Sequence, residues 1–342
     1  GKCNFTNLYL APENFICSNP HFIKSFLAKF GTYDSLDIIE KYNIPYEERD
    51  NGKLFTLSGA KSILESLLED GKSENHIFKT ECLVQNLLKQ NDLFVIETNK
   101  ESIFAKKVIV ASGGISYPQM GATNIACKIA KNFGIKTFPL VPALAGIRYP
   151  ENFEFDFSSL SGNAITAKAQ IEKRQFTDQL LFTHRGFSGP LALNLSLFVN
   201  GKTQIIFNFL PEVDVENLIQ KEKTSKKSLA NILSEYLPKS FVKVLLKEKD
   251  YNLSQIKKSE IEEIAKTFNH FVIEVEKLDG FDKAEVTRGG ISVDEIFPKT
   301  MEARKCSGLY FIGEALDVTG MLGGYNLHWA WASAKMFIDG LE

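Results

Sequence analysis

The chain has 342 residues, of which 44% are hydrophobic and 24% are charged, and its formal net charge at pH 7 is −2. This length favours two or three cores, and the near-neutral charge excludes a global basic field for nucleic acid or an anionic membrane. The five cysteines are widely spaced without a CxxC pair, so we expect a cytoplasmic protein with neither a disulfide framework nor a cysteine zinc site. No apolar run approaches the ~20 residues of a membrane helix, so no membrane partner is expected.

Two helices are predicted in the first 75 residues. Asn19–Phe30 begins with a capping residue, Asn19, has Pro20 in its first turn, and is followed by Gly31, a common helix terminator. Ser58–Asp70 carries an isoleucine and leucine stripe at helical spacing. Both helices are interpreted as structural.

Residues 76–111 are typical of strands. The segments HIFKTECLVQNLLK, DLFVIETN and SIFAKKVIVA are separated by short polar turns, as in a β-meander. The third segment runs into Ser112–Gly114, a tight glycine turn. Beyond it, Asn124–Phe133 has the apolar spacing of an amphipathic helix and is followed by Gly134.

The rest of the chain changes character twice. Residues from about 143 to 211 are rich in short β-type runs, residues from about 212 to 270 have helical periodicity and high charge, and strand character then returns at FVIEVEKL and AEVTRGGISV. The order of elements predicts an α/β fold, α+β overall. We expect a discontinuous domain of residues 1–140 and 280–342, an inserted β-barrel-like domain over 141–211 and an inserted helical subdomain over 212–279.

The C-terminal stretch GLYFIGEALDVTGMLGGYNLHWAWA is the most informative motif. Leu309–Ile312 predicts a buried parallel strand, and Glu314 would then lie at the carboxyl end of the sheet, where open α/β sheets bind ligands. A glycine turn follows and leads into a helix, whose N-terminus favours an electron-rich ligand atom. The alternative is a tight connection in which the carboxylate has no ligand role. The residues predicted to face inward on that helix are Leu327, Ala330, Trp331, Ala334, Phe337, Ile338 and Leu341.

Two further glycine pairs, Gly113–Gly114 and Gly289–Gly290, permit close backbone approach, although each alone is typical of an ordinary turn. Together the three motifs indicate a groove with few titratable groups, which suits a bound cofactor that supplies the chemistry. His184, in LLFTHRGFSGP, could donate a proton to a substrate, but a turn histidine with a structural role is the preferred interpretation. The five histidines have no HExxH or HxxxH spacing, so no metal site is predicted.

Five segments, found in order across nearly the whole chain, carry a family resemblance: GKCNFTN, VIVASGGISYPQMGAT, LLFTHRGFSGP, VTRGGIS and GLYFIGEALDVTGMLGGYNLHWAWA. With them the sequence resembles the BaiN/RdsA-type (YhiN-type) FAD/NAD(P)-dependent oxidoreductases of bacteria. The resemblance implies a two-dinucleotide-binding-type FAD domain with an inserted β-barrel and helical domain. In that family GKCNFTN follows an N-terminal β-α-β unit with GxGxxG. That motif occurs nowhere in this sequence, so the FAD domain is expected to be incomplete at its N-terminus.

The resemblance also implies a cofactor site. The flavin would lie near Lys2, Cys3 and Asn4, its pyrimidine edge would face the N-terminus of the last helix, and Glu314 would bind ribityl or ribose hydroxyls. The complete set of implied cofactor-binding residues is Lys2, Cys3, Asn4, Val84, Gly113, Gly114, Gly289, Gly290, Gly313, Glu314, Gly323, Gly324, Tyr325, Asn326 and Leu327. No catalytic residue is assigned, and Cys3, His184 and Tyr325 are candidates for that role. His328 departs from the family pattern, in which glutamine is expected.

These observations predict a flavoprotein oxidoreductase. Hydride would pass from NADH or NADPH through FAD to a small organic substrate, for which an enone-like double bond is one candidate. The rival hypothesis is a truncated or degenerate apo form without FAD or activity, which would self-associate through its incomplete sheet. A nucleic-acid partner is not expected, because the net charge is close to zero.

Overall fold

The structure, a computed structural model, describes residues 3–341 except 75, 152, 248 and 250. The chain forms two compact units. The first, here called the flanking unit, comprises Gly1–Val141 and Glu285–Glu342. The second, here called the inserted unit, is Pro142–Ala284. Within the described residues, no helix has the length and apolar character needed to cross a membrane.

Strands and helices are numbered along the chain. The strands are β1 (Cys3–Asn7), β2 (Phe15–Cys17), β3 (Tyr46–Arg49), β4 (Lys53–Thr56), β5 (Val84–Gln90), β6 (Leu93–Thr98), β7 (Ser102–Ala105), β8 (Val108–Val110), β9 (Thr137–Ala143), β10 (Ile147–Arg148), β11 (Ala164–Ile171), β12 (Arg174–Phe182), β13 (Gly186–Ser188), β14 (Thr203–Asn208), β15 (Phe271–Val275), β16 (Val286–Ile291), β17 (Leu309–Phe311) and β18 (Val318–Gly320). The α-helices are α1 (Pro20–Leu27), α2 (Thr32–Lys41), α3 (Ala60–Ser73), α4 (Ile125–Asn132), α5 (Gly189–Ser196), α6 (Val215–Lys221), α7 (Leu229–Leu233), α8 (Lys239–Leu245), α9 (Lys258–Asn269) and α10 (Tyr325–Asp339).

A parallel strand pair positions the candidate site of the flanking unit. Strands β8 and β17 pair in parallel, with Leu309 opposite Val108 and Phe311 opposite Val110. This confirms the parallel strand predicted at Leu309–Ile312. Because the carboxyl ends of parallel strands meet at one edge of a sheet, the glycine turns that follow β8 and β17 are neighbours. The unit also contains the predicted meander β5-β6-β7 and the antiparallel sheet β1-β4-β3.

Helix α10 anchors the core of the flanking unit. Trp329 of α10 is 1% exposed, and its ring centroid lies 4.8 Å from that of Phe26 in α1. Helix α1 begins as the sequence predicts, since the Asn19 side chain accepts a hydrogen bond from the His21 backbone N–H at 3.0 Å. The strand β1 packs in a smaller cluster with α2, β4 and α3, which includes Phe5, Ile39 and Ile63.

The buried face of α10 is not the predicted one. Of the predicted inward residues only Phe337 is buried, whereas Leu327 and Ile338 are 43% and 54% exposed. Both faces of this helix carry apolar residues, and two polar residues, His328 and Ser333, lie on the face that is buried, so apolar spacing alone selects the wrong one. The residues that are buried are Tyr325, His328, Trp329, Ala332, Ser333, Met336 and Phe337.

The first predicted strand of the meander is also too long. Strand β5 begins at Val84 rather than at His76. Glu81 has a φ of +53°, which interrupts extended backbone before the strand. The Leu83 N–H donates to the Asn99 side-chain oxygen at 2.7 Å, so a loop contact replaces strand pairing there.

The inserted unit contains a nearly closed six-stranded sheet in the order β10-β13-β12-β11-β14-β15. Its two edges approach each other just beyond β15, where Ile147 forms a bridge to Leu278 and the Arg148 N–H donates to the Lys277 carbonyl at 2.9 Å. The sheet therefore has the barrel-like form expected from the sequence. Helices α6 to α9 follow β14 and contribute to the same core, which is rich in phenylalanine and includes Phe157, Phe241 and Phe268.

Candidate functional site

Glu314 joins three segments of the flanking unit at the carboxyl end of the parallel pair. One carboxylate oxygen, Oε1, accepts a hydrogen bond from the Thr287 N–H at 2.7 Å, and Oε2 accepts one from the Gly114 N–H at 3.2 Å. Burial raises the pKa of Glu314, and the two backbone N–H groups oppose this by stabilising the carboxylate. The structure thus brings together two predicted residues, Gly114 and Glu314, and adds Thr287 from the third motif. We name this group the Glu314 cluster.

Thr287 organises the glycine turn after β8. Its hydroxyl oxygen accepts hydrogen bonds from the N–H groups of Ile115 and Ser116 at 2.9 and 3.1 Å. A side chain at Gly114 would place its Cβ 2.4 Å from this oxygen, so the turn requires glycine there. Thr287 is 1% exposed and was missed in the sequence analysis. Its position directly before Arg288–Gly290 in VTRGGIS is the signal that could have identified it.

Two other glycines of the Glu314 cluster leave open space. Gly313 has a φ of +63° and no atom within 4 Å of a Cβ built on it. At Gly113, with a φ of +68°, the nearest atom is Glu314 Oε2 at 3.5 Å. A ligand can therefore approach the backbone on either side of the carboxylate. An ionised carboxylate offers about four lone-pair positions, of which the two backbone donors use two.

Gly289 and Gly290 make their close approaches to the protein itself. A Cβ on Gly289 would lie 2.1 Å from the Pro139 carbonyl oxygen, and one on Gly290 would lie 2.7 Å from the Ala315 carbonyl oxygen. Both have positive φ values, of +91° and +112°, which favour glycine. Close packing against Pro139 and Ala315 is sufficient to require glycine at both positions.

Strand β1 lies against the glycine turn that precedes α10. The Asn7 side chain donates to the Gly323 carbonyl at 3.0 Å. The Asn4 side-chain nitrogen donates to the carbonyls of Thr6 and Leu54, and its oxygen accepts a hydrogen bond from the Gly324 N–H at 3.0 Å. The structure therefore brings the first and last predicted motifs together.

The N-terminus of α10 has no side-chain cap. Asn326 instead clamps β18, since its side chain accepts from the Gly320 N–H at 2.8 Å and donates to the Gly320 carbonyl at 2.9 Å. Leu327, in the same first turn, is exposed. The first-turn N–H groups of a helix without a cap retain hydrogen-bonding capacity and a partial positive charge.

The three catalytic candidates lie in different surroundings. Tyr325 is 7% exposed, and its hydroxyl donates to the Tyr9 carbonyl at 3.2 Å. Cys3 is in the core cluster of β1, and burial raises the pKa of its thiol. Both environments favour a packing role over proton transfer. His184 is exposed on a turn of the inserted unit, so the Glu314 cluster and His184 belong to different units.

Two other predicted residues stand apart. Val84 begins β5 and pairs with Thr98, and no described hydrogen bond joins it to the Glu314 cluster. Lys2 lies outside the described residues. Among the residues that the structure does describe, no group of three or more His, Cys, Asp and Glu side chains could hold a metal ion.

His328 is a second polar centre of the flanking unit and is 0% exposed. Its Nε2 lies 3.3 Å from the Phe30 carbonyl oxygen, which can only accept, so this nitrogen carries the hydrogen. Nδ1 is then the acceptor, and the hydroxyls of Thr6 and Ser35, at 2.9 and 3.0 Å, share its single lone pair. Burial lowers the pKa of His328 to about 4. A neutral histidine thus connects α10 to β1 and α2.

The His328→Gln substitution is expected to make unfolding less sensitive to acid. The unfolded chain binds a proton at an ordinary histidine pKa near 6.5, whereas the folded protein resists protonation until about pH 4, so stability is lost as the pH falls through this window. The wild-type free energy of unfolding should therefore fall by about 2 kcal/mol more than that of H328Q between pH 7 and pH 5. Urea unfolding at both pH values measures the difference. His21→Gln, an exposed site, is the control, and equal pH dependence in H328Q and wild type would contradict the assignment.

Comparison with known proteins places this chain in a family. Residues 1–337 match the family described as HI0933-like protein Rossmann domain. The chain is 36% identical over 340 residues to a ribosomal RNA dihydrouridine synthase of Escherichia coli (strain K12), covering 98% of this chain and 85% of that protein. It is 38% identical over 349 residues to a ribosomal RNA dihydrouridine synthase of Haemophilus influenzae, covering 98% and 86%. It is 27% identical over 357 residues to a 3-dehydro-bile acid delta(4,6)-reductase of Clostridium scindens, covering 98% and 86%.

Proposed function

The chain belongs to the HI0933-like Rossmann-domain family, and from this membership we propose that it is a flavin-dependent oxidoreductase that reduces a carbon–carbon double bond conjugated to a carbonyl group. The names of the relatives support this reaction class. Dihydrouridine is uridine with two hydrogens added across C5 and C6, next to the C4 carbonyl, and a delta(4,6)-reductase of a 3-oxo steroid also acts on double bonds conjugated to a carbonyl.

We propose a uracil base of ribosomal RNA as the substrate. The two relatives named for that reaction are 36% and 38% identical to this chain, compared with 27% for the bile-acid reductase. This proposal departs from the expectation of no nucleic-acid partner, which rested on net charge. Net charge measures the whole surface, whereas RNA binding can rest on a local basic patch.

The observation that carries the cofactor proposal is the Glu314 carboxylate between two open glycine positions. The carboxylate retains acceptor capacity for hydroxyl groups, and Gly113 and Gly313 leave room for a ligand beside it. These residues fit the polyol portion of FAD. The N-terminus of α10 would favour an electron-rich edge of the same ligand. When bound, FAD supplies hydride transfer, for which NADH or NADPH is the proposed electron source.

In this proposal the chain's own residues bind the cofactor and orient it. Glu314 would hold hydroxyl groups, while Thr287 keeps the 114–116 backbone in place through its two hydrogen bonds. Substrate reduction also requires a proton at the carbon next to the carbonyl. The Tyr325 hydroxyl already donates a hydrogen bond to a backbone carbonyl, and burial raises the pKa of the Cys3 thiol. Neither group is therefore proposed as the proton donor.

The test has two stages on the purified 342-residue chain. Flavin is first titrated into the protein, and bound FAD is quantified after denaturation. An unmodified ribosomal RNA transcript is then incubated with the FAD-loaded protein and NADH or NADPH, and nucleosides are measured by mass spectrometry. We expect close to one FAD per chain and conversion of uridine to dihydrouridine. Failure to bind FAD would contradict the cofactor proposal, and FAD binding without dihydrouridine would contradict the RNA substrate.

A further inference from the structure

The inserted unit has an open cleft of about 370 Å³ beside the edge of its barrel-like sheet. Its walls come from β10, the turn before β13, and the segment after β15. The lining residues are Ile147, Arg148, Thr183, His184, Arg185, Gly186, Phe187, Ser188, Asp279 and Lys283. We name it the 148/185/283 cleft.

Hydrogen bonds hold the turn that carries the exposed residues of the cleft. The Thr183 hydroxyl donates to the Gly186 carbonyl at 2.8 Å and accepts from the Gly186 N–H at 3.1 Å. The Arg185 carbonyl accepts from the Tyr149 N–H at 3.0 Å. A Cβ on Gly186 would lie 1.9 Å from the Ile147 carbonyl oxygen, so β10 packs directly on the turn. The backbone of the cleft is therefore built before any ligand arrives.

The charge of the cleft is positive. Arg148 and Asp279 form an ion pair at 3.2 Å and neutralise each other. Arg185 and Lys283 are exposed, and neither forms an ion pair with an acidic side chain among the described residues. His184, also exposed, adds an aromatic ring next to Arg185. Two free cations beside a ring that can stack are typical of surfaces that bind single-stranded nucleic acid.

We propose that the 148/185/283 cleft binds the phosphodiester backbone of RNA. This rests on the proposed function, since it assigns that RNA a binding surface. The guanidinium of Arg185 can form two parallel hydrogen bonds to one phosphate, and Lys283 adds a second positive charge across the cleft. Such contacts position an RNA without reading its sequence. The cleft supplies the local basic surface that the net charge of −2 conceals.

The test is RNA binding by the full chain carrying Arg185→Gln and Lys283→Gln. The probe is a fluorescein-labelled, uridine-rich single-stranded RNA of about 20 nucleotides. Its binding is measured by fluorescence anisotropy at several NaCl concentrations. We expect the Kd to rise about tenfold and the slope of log K against log salt to become shallower by about 1.4, because each lost contact on single-stranded RNA contributes about 0.7. Both side chains are exposed, so thermal unfolding should match that of the wild type.

A charge-matched control separates this site from general electrostatics. Lys173→Gln with Lys226→Gln removes two exposed lysines of the same unit that do not line the cleft, and its Kd and salt slope should stay close to those of the wild type. Equal weakening in both double variants, or no RNA binding by the wild type, would overturn the cleft proposal. If the wild type binds RNA through the cleft but forms no dihydrouridine, the proposed function fails and the cleft assignment stands.

Discussion

Replacing Glu314 with glutamine is expected to weaken FAD binding roughly 10- to 100-fold, the equivalent of losing one hydrogen bond to a charged group. The glutamine amide has one oxygen and one NH₂ group, so it can accept only one of the two backbone N–H groups that Glu314 accepts. Its NH₂ would face the other donor, and its capacity to accept ligand hydroxyls would fall. FAD affinity is measured by flavin fluorescence quenching on titration of the apo protein.

Glu302 offers a matched control at the other end of β17. Its carboxylate accepts from the Gly308 N–H at 2.7 Å, directly before β17 begins, whereas Glu314 follows the end of that strand. E314Q should lower the free energy of unfolding by about 1–3 kcal/mol, since it leaves a backbone donor poorly paired. Glu302 accepts from Gly308 through a single oxygen, which the glutamine of E302Q retains, so that donor stays paired. Only E314Q should show the 10- to 100-fold lower affinity for FAD. Equal FAD affinity in the two variants would show that Glu314 has a structural role alone.

The second large effect is expected for Gly324→Ala, at the turn into α10. A Cβ at this position would lie 2.4 Å from the Thr6 carbonyl oxygen and 2.7 Å from the Asn4 side-chain amide. The Thr6 oxygen is a backbone atom of β1, which is held in a sheet, so moving a flexible side chain cannot relieve that clash. We expect the substitution to displace β1 from α10, with a loss of FAD binding that accompanies the loss of stability.

Gly121 allows the clash at Gly324 to be separated from backbone strain. Its φ of +93° nearly equals the +92° of Gly324, but no atom lies within 4 Å of a Cβ built there. G121A and G324A therefore carry a similar cost for positive φ, roughly 1 kcal/mol. G324A should be less stable than G121A by a further 1–3 kcal/mol or so, the usual cost of overpacking. Urea unfolding of both variants measures this, and equal stabilities would contradict the predicted contact.

Local patterns were sufficient for the parts of the site that lie next to a strand end. A short apolar run before Gly313–Glu314 predicts a parallel strand with a carboxylate at its end, and the structure has both. The glycine turn after β8 was predictable for the same reason. In each case the signal and its meaning lie within about ten residues.

Long-range partners explain what the sequence did not reveal. Thr287 acts on residues 171 and 172 positions away, and His328 pairs with Thr6 across 322 positions. Nothing in the local pattern marks either as a hydrogen-bonding centre. The wrong face of α10 has the same origin, because His328 counts as polar by composition but is buried through partners elsewhere in the chain.

The contact between β1 and α10 also has a consequence for biosynthesis. The partners Asn7 and Gly323 are 316 positions apart, so β1 leaves the ribosome long before the helix that covers it has been made. The inserted unit contains all of its own strands within Pro142–Ala284 and can complete its core first. At about 5–20 residues per second, the last part of the flanking unit needs several more seconds to appear. During that interval β1 can already pair with β4, but the turn and helix that cover it are missing. The early flanking segment therefore exposes surface that the finished fold buries.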